Sequence, residues 1–563
     1  MATIYENLSK ERKALQVTGE VPEWMTTGGY QMFKQKYMWE GKNVNETFKR
    51  IATCAAQHTE DPDVWEEAFL DILEKGWLGA STPILANMGT DRGMPISCSG
   101  QLVGDSIHDF YNSAHELAML TKAGFGTSSY LGDIRPRGSS ISVGGKSSGV
   151  MPVIEQFVNI MRDVAQGTAR RGAWAGYLPI DHGDFYEVVN YLERKPDDLN
   201  VGWVVTDAFI TRLKDGNVDA VERLQRAMKV KAVSGKGYFF FADKVNRASP
   251  QMYKDLDLKV LASNLCMEIA LHSDEDHSFT CVLASMNLAK YEEWKDTNAV
   301  FIATVFLDCI VSEFLAKAKG VPGFEKTVRF TEKSRALGLG VMGFHTYLQQ
   351  QSVVFESMEA HMINNQIFTD LRDKSLQASE YLAKLYGEPE WCKGYGVRNT
   401  HRTAVAPTTT NALICGGVSQ GIEPVVANLY NQQTSAGVLY RVNPVFLALA
   451  KERGKFNDTL VNDLIMNSGG SVQHLEWLTD HEKEVFKTAY EINQHAVIRL
   501  AAARQKKLCQ SQSLNFFFSA DESEEYIMEV MQEAFVNENI LGVYYMRTKA
   551  GVQASKGECT VCE

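Results

Sequence analysis

The sequence predicts an α/β fold with parallel strands, on three observations. Strand-like runs at Val201–Val205 and Gly237–Phe241 alternate with a helical stretch at Val221–Val230, the rhythm of a sheet whose strands are joined by crossover helices. The chain has 563 residues and 45% hydrophobic content, enough for several domains or one large barrel with additions. Longer helical stretches follow at Glu356–Leu385 and Glu482–Gln505.

In chain order, residues 1–80 read as a helical region. Apolar positions recur at helical spacing from Val64 to Leu78, with Gly79 as the stop. From Ser81 to about residue 180 the texture is Gly-, Ser- and Thr-rich loops between short apolar runs. The main α/β unit is assigned to residues 81–547. Residues 548–563 are small and polar and read as a flexible tail. No fixed-period repeat or low-complexity block is present.

Composition excludes several classes. A net charge of −12 is the wrong sign for a nucleic-acid binder, so anionic substrates must be met by local groups. No run of eighteen or more apolar residues suggests a membrane span. Met1–Lys13 is charged and unlike a signal peptide, which points to the cytoplasm. Ten cysteines are too sparse for a disulfide scaffold. Most, such as Cys54, Cys309 and Cys392, read as buried packing, in a reduced protein.

Three patterns are set aside. Gly338-Leu-Gly340-Val-Met-Gly343 has the letters of a dinucleotide-binding loop but follows the charged run Glu332–Arg335, so close backbone packing is expected instead. Gly145-Lys146-Ser147 lacks the earlier glycine of a phosphate loop, since Ser140 stands there. His272, Asp274, Glu275, Asp276 and His277 crowd together without ligand spacing and read as a solvated loop, so no metal site is expected.

The sharpest chemical signal is Asn264-Leu265-Cys266-Met267-Glu268-Ile269. In an extended segment, alternate residues share a face. An amide, a thiol and a carboxyl would then face one side from an apolar support. A thiol can serve as nucleophile or radical carrier, and a neighbouring carboxylate can move a proton. An ordinary half-buried strand has the same alternation.

That segment resembles the radical-cysteine segment of ribonucleotide reductase large (catalytic) subunits, and further segments follow in the family's order. Ser81-Thr82-Pro83 with Ser97-Cys98 is similar to its first active-site segment. Cys281 with Ser285-Met-Asn287-Leu288 resembles its partner-cysteine segment. Ala406-Pro407-Thr408-Thr409-Thr410-Asn411 resembles its substrate-phosphate loop, followed by Gly421-Ile-Glu423-Pro424. Gln510-Ser-Gln512-Ser-Leu-Asn515 and Tyr544-Tyr545 complete the series.

The resemblance implies a ten-stranded α/β barrel of two antiparallel halves, each of five parallel strands. It implies reduction of ribonucleotides to deoxyribonucleotides, with diphosphates favoured. Cys266 would carry a thiyl radical, Glu268 would take the 3′-hydroxyl proton, and Asn264 would hold the ribose. Cys98 and Cys281 would end as a disulfide. Thr82, Ser97, residues 407–411 and Glu423 would bind substrate.

Cys559 and Cys562 would relay reducing equivalents from a thioredoxin- or glutaredoxin-like protein. The roughly fourteen residues after Tyr545 give that pair a coil span of about 20 Å. Tyr544 and Tyr545 would pass the radical from a separate metal-containing small subunit, so no cofactor is expected in this chain. The pair favours class I over the cobalamin-dependent class. A plain thiol–disulfide oxidoreductase would leave Asn264, Cys266 and Glu268 unexplained.

The resemblance also implies an effector-dependent homodimer that binds a deoxynucleoside triphosphate or ATP. Asp105 would meet the effector's sugar or base, and Arg135 its phosphates. The Gly144–Gly149 loop would close over it, and Gln166 to Gly176, with Arg170, would report effector identity to the substrate. Ser142 stands where many relatives place a second phosphate-binding arginine. Only about eighty residues precede Ser81, which suggests a short form without the ATP-sensing domain of many relatives. Titration with dATP checks that expectation.

Overall fold

The computed structural model describes residues 4–39, 42–142, 144–164, 172–434 and 437–548. Four helices, Ile4–Val17, Thr27–Lys36, Val44–Ala56 and Pro62–Glu74, precede the first strand. Local chemistry sets their ends. Asn43 and Glu46 form a reciprocal capping box at the third, and Asp61 with Pro62 opens the fourth. The fourth helix ends at Glu74, earlier than its apolar spacing predicts, because Gly76 takes a φ of +67°. Leu78 therefore begins a strand.

The strands, in chain order, are β1 (Leu78–Ala80), β2 (Cys98–Leu102), β3 (Gly126–Tyr130), β4 (Trp174–Pro179), β5 (Asn200–Val205), β6 (Tyr238–Phe241), β7 (Phe279–Asn287), β8 (Leu337–Met342), β9 (Leu429–Thr434), β10 (Gly437–Val442), β11 (Phe516–Phe518), β12 (Gly542–Val543) and β13 (Met546–Thr548). Strands β2 to β6 are parallel in sequence order. At one seam β2 runs antiparallel to β7, and at the other β6 runs antiparallel to β12.

The second half continues from β7 to parallel β8. Isolated parallel bridges Leu339↔Thr403 and Val405↔Gln512 carry it onward. The Tyr544 N–H donates to the Leu514 carbonyl at 2.8 Å, and β11 pairs parallel with β13. The ring of two antiparallel halves is thus closed, as the resemblance implied, although two of its staves are segments too irregular to count as strands.

The glycine pattern at 338–343 lies on β8. A Cβ at Gly340 would sit 2.3 Å from the Ala404 carbonyl oxygen, and one at Gly338 would sit 2.5 Å from Leu283 Cδ2. Close packing within the barrel wall accounts for both glycines, as expected. Lys146 bridges Ser140 in a short hairpin turn.

Two expectations are corrected. The stretch Glu482–Gln505 is two helices, Asp480–Val485 and Gln494–Gln505, the second capped by Asn493. The region 81–180 holds two long helices, Ile107–Lys122 and Met151–Asp163, which carry the crossovers after β2 and β3. The helix Ala299–Ala318 is long and apolar enough by composition to cross a membrane. It is a core helix, wrapped on most of its surface and packed on Met358–Tyr386. Its buried Asp308 accepts from Arg335, Arg398 and Asn399.

Candidate active site

The segment 264–269 is a loop inside the ring, and it is not the extended strand expected. Met267 has a φ of +72°, which folds the chain back on itself. Asn264 and Glu268 would stand about 13 Å apart along a strand. Here Asn264 Nδ2 donates to Glu268 Oε1 at 2.9 Å. The alternation brought the three polar groups together only in outcome, through a turn that periodicity does not reveal.

Neighbouring strands enforce the turn. The Tyr177 hydroxyl, on β4, contacts both the Asn264 carbonyl and, at 3.0 Å, the Met267 sulfur. Gly542 leaves room for the Met267 methyl, since a Cβ there would lie 2.5 Å from Met267 Cε. The Ser511 N–H donates to the Glu268 carbonyl at 3.0 Å, and Gln510 Oε1 accepts from the Ala270 N–H at 3.1 Å.

Cys98, Cys266 and Glu268 line one cleft, together with Thr82, Ser97 and residues 407–411. Asn264 Nδ2 also reaches the Cys98 sulfur at 3.2 Å. Cys98 and Cys281 are direct partners across the antiparallel β2–β7 ladder. Such partners have Cα atoms about 4.5–5.5 Å apart and side chains on one face, within reach of a disulfide. Neither cysteine is in a disulfide among the described residues. Burial pushes the Cys281 thiol far above the ordinary range, so it holds its proton.

The threonine run opens the helix Thr409–Ile414, with Thr408 in the left-handed region at a φ of +57°. The Gly421 N–H donates to Thr408 Oγ1 at 2.8 Å, and Thr409 Oγ1 donates to Gln420 at 3.2 Å. Thr410 Oγ1 is buried with no hydrogen-bond partner among the described residues. The Ser97 hydroxyl donates to Ser81 at 2.9 Å, and Tyr37 pairs with Thr82 at 2.9 Å. Glu423 lies instead in the adjoining cavity, where Asn515 Nδ2 donates to it. Asn515 Oδ1 in turn accepts from the Tyr545 N–H at 2.8 Å.

Behind the cleft, the Tyr544 hydroxyl donates to the Cys266 sulfur at 3.6 Å. The Tyr544 and Tyr545 ring centroids are 4.2 Å apart. Both residues are almost fully buried, at 1% and 8% exposure. Lys231, which carried no sequence signal, is buried beside them. It donates to the carbonyls of Gly237 and Tyr544, and burial lowers its pKa to about 7.

Asp105 and Arg135 meet each other, with the Arg135 N–H donating to Asp105 Oδ1 at 3.1 Å and the guanidinium to Oδ2. Gln166, Arg170, Cys559 and Cys562 lie outside the described residues. His272, Asp274 and His277 are not the solvated loop expected. Asp274 accepts from His272 Nε2 at 3.0 Å and His277 Nδ1 at 2.9 Å, and from the N–H groups of Asp276 and His277. The carboxylate knots a tight turn, with both imidazoles mostly buried against Trp391.

Comparison with known proteins agrees with this arrangement. The ribonucleotide reductase all-alpha domain matches residues 24–93. The ribonucleotide reductase barrel domain matches residues 96–220, 215–394 and 389–546. The chain belongs to the ribonucleotide reductase large-subunit family. The solved class Id ribonucleotide reductase alpha subunit of Actinobacillus ureae is 38% identical to this reductase, with a TM-score of 0.86 over 94% of this chain and 98% of that one. The ribonucleoside-diphosphate reductase large subunit of invertebrate iridescent virus 3 is 29% identical over 95% of this chain and 98% of its own. The vitamin B12-dependent ribonucleoside-diphosphate reductase of Mycobacterium tuberculosis is 28% identical over 83% of this chain and 70% of its own. This reductase is accordingly a ribonucleotide reductase large subunit of class I.

Proposed function

We propose that the reductase replaces the ribose 2′ hydroxyl with hydrogen by thiyl-radical chemistry at Cys266. The observation that carries this reading is the position of the Cys266 sulfur. It faces the cleft on one side and lies 3.6 Å from the Tyr544 hydroxyl on the other. A thiol so placed can pass a hydrogen atom to a tyrosyl radical behind it and take one from a sugar in front.

The residues divide the work as follows. The Cys266 thiyl radical removes the 3′ hydrogen. Glu268, oriented by Asn264, takes the 3′-hydroxyl proton. The 2′ hydroxyl leaves as water, carrying a proton from the thiol pair. Cys98 and Cys281 supply two electrons and two protons in all and close to a disulfide. The 3′ hydrogen then returns from Cys266, which regains its radical, and Glu268 gives its proton back to the 3′ oxygen. The closed ring keeps solvent and oxidants from the radical. Thr82, Ser97 and residues 407–411 hold the substrate, with phosphate at the threonine run.

The reading extends to parts outside the described residues. Cys559 and Cys562 exchange with the Cys98–Cys281 disulfide and then with a thioredoxin- or glutaredoxin-like protein. A separate radical-generating small subunit feeds Tyr545. An effector nucleotide binds at Asp105 and Arg135, with Gln166 and Arg170 relaying its identity, across a homodimer interface. The reduced thiols suit the cytoplasm.

The decisive experiment is nucleotide reduction by the purified chain with dithiothreitol and an effector. One reaction receives the metal-containing radical subunit, and another receives adenosylcobalamin. Product only with the second protein is expected. Product with cobalamin alone would reduce the tyrosine pair to packing.

A further inference from the structure

Cys98 and Cys281 have different surroundings. Cys98 lines the substrate cleft and Cys281 does not. The Cys281 sulfur is enclosed, since a Cβ added at Gly338 on β8 would lie 3.0 Å from it, and the residue is 1% exposed. Its S–H is turned to the Val282 carbonyl at 3.6 Å, and Gln510 Nε2 reaches the sulfur at 3.7 Å.

The Gln510 amide is held in one orientation. Its Oε1 accepts from the Ala270 N–H at 3.1 Å, and its Nε2 donates to the Leu337 carbonyl at 2.8 Å. A backbone N–H only donates and a carbonyl only accepts, so the amide cannot be turned over. Nε2 carries two hydrogens. One serves Leu337, and the other points at the Cys281 sulfur. The backbone is fixed as well, with the Gln510 N–H donating to the Thr403 carbonyl at 3.1 Å and Gln505 Nε2 donating to the Gln510 carbonyl at 2.6 Å.

We propose that Gln510 is a further residue of the redox chemistry, whose amide holds Cys281 as the departing thiolate when an incoming thiolate opens the Cys98–Cys281 disulfide at Cys98. This rests on the reading of the two cysteines as the redox pair. A reductant in the cleft meets Cys98 and not Cys281. Its thiolate forms a bond to the Cys98 sulfur, the Cys98–Cys281 bond breaks, and the electron pair leaves on Cys281. The second thiol of a dithiol reductant then displaces Cys98 and closes to its own disulfide. The reductant gives up two electrons and two protons, and the two cysteines take them. A thiolate at Cys281 is costly, because burial pushes that thiol far up, and Glu268 and Cys509 push the same way. The Gln510 hydrogen bond pulls against them, and a preorganised donor is worth most where charge develops away from water.

The test uses the full chain with Cys559→Ser and Cys562→Ser, so that the added thiol is the attacking group. The disulfide is made by one turnover with the radical subunit, or by diamide without turnover. 2-Mercaptoethanol is added, the reaction is stopped early with acid, free thiols are alkylated, and peptides are read by mass spectrometry. The mercaptoethanol adduct is expected on the Cys98 peptide, with Cys281 alkylated. An adduct on Cys281, or equal adducts on both, would overturn the direction of opening.

In the same background, Gln510→Met removes the amide donor. Reduction of the disulfide by dithiothreitol is expected to slow at least about tenfold, the size of one hydrogen bond to a charged atom, with the first turnover of the pre-reduced chain falling less. Gln510→Glu keeps an oxygen for the Ala270 N–H and lacks the second donor hydrogen, so it is expected to be as slow as Gln510→Met. Reduction at the parent rate in either variant would remove Gln510 from the chemistry. Equal falls in reduction and first turnover would make its role structural, as would rescue by Gln510→Glu. Where neither variant folds, the site of the adduct in the parent decides. Failure of the underlying reading is distinguishable, because turnover would then leave no Cys98–Cys281 disulfide to open.

Discussion

At the scale of single residues, Glu268 and Lys231 show how burial sets chemistry. Asn264 Nδ2 donates to both the Glu268 carboxylate and the Cys98 sulfur, so one amide aligns a base and a reductant. Glu268→Gln keeps the shape and loses the base. Turnover is expected to fall at least about a hundredfold, with substrate affinity by calorimetry unchanged. Activity within tenfold of the parent would remove Glu268 from proton transfer. Lys231 carries a pKa of about 7 because burial disfavours its ammonium form. Between about pH 7 and the ordinary lysine range the unfolded chain binds this proton and the folded chain does not. Stability gained through this group therefore rises with pH over that window, by up to about 1.4 kcal/mol per unit. Denaturation of the parent and of Lys231→Met across that window checks the sign. Parallel curves for the two proteins would contradict it.

At the scale of elements, the helical N-terminal region is tied to substrate binding through one crossing. A Cβ at Gly29, in the helix Thr27–Lys36, would lie 2.8 Å from the Leu413 carbonyl oxygen and 3.0 Å from that of Ile414. Those carbonyls belong to the helix that carries the threonine run, so no side chain can yield to relieve the contact. Gly29→Ala is expected to push the two helices apart, at a cost of about 1–3 kcal/mol. KM for the ribonucleotide should rise several-fold while kcat changes less. A melting temperature and KM equal to the parent's would show that the crossing does not position the loop. The radical loop depends on its neighbours in the same way, because Met267 holds its left-handed turn only between Tyr177 and Gly542.

At the scale of the whole molecule, the antiparallel join of the two half-barrels makes the redox pair. Cys98 begins one half's first strand and Cys281 lies near the start of the other half's, and they are register partners. One turnover without external reductant is expected to form one Cys98–Cys281 disulfide per active chain. Peptide mass spectrometry reads it as a loss of two hydrogens, absent in Cys281→Ser. Intact thiols after product has formed would remove the pair from the chemistry. The same closure places Tyr544, far along the chain, against Cys266, so a radical entering near the C-terminal strands reaches the centre of the ring.

The sequence by itself determined the family, the order of the active-site segments and the identity of most cleft residues. Reactive groups such as Cys266, Glu268 and the threonine run are local letters, and they survive any uncertainty about elements. It also determined the alternation of β5, the following helix and β6. Only the tertiary structure decided that 264–269 is a turn, because Met267 adopts a positive φ under the pressure of groups distant in sequence. Only the structure joined Gln510 to Cys281 and to the end of the radical loop, and set Glu423 beside Asn515 rather than in the cleft. The helix Pro62–Glu74 ended early for a local reason, the left-handed Gly76, which apolar spacing does not register. Periodicity records which face of an element is apolar. It is silent on which elements close a ring, and in this fold the closure assembles the cysteine pair and sets the tyrosine pair against Cys266.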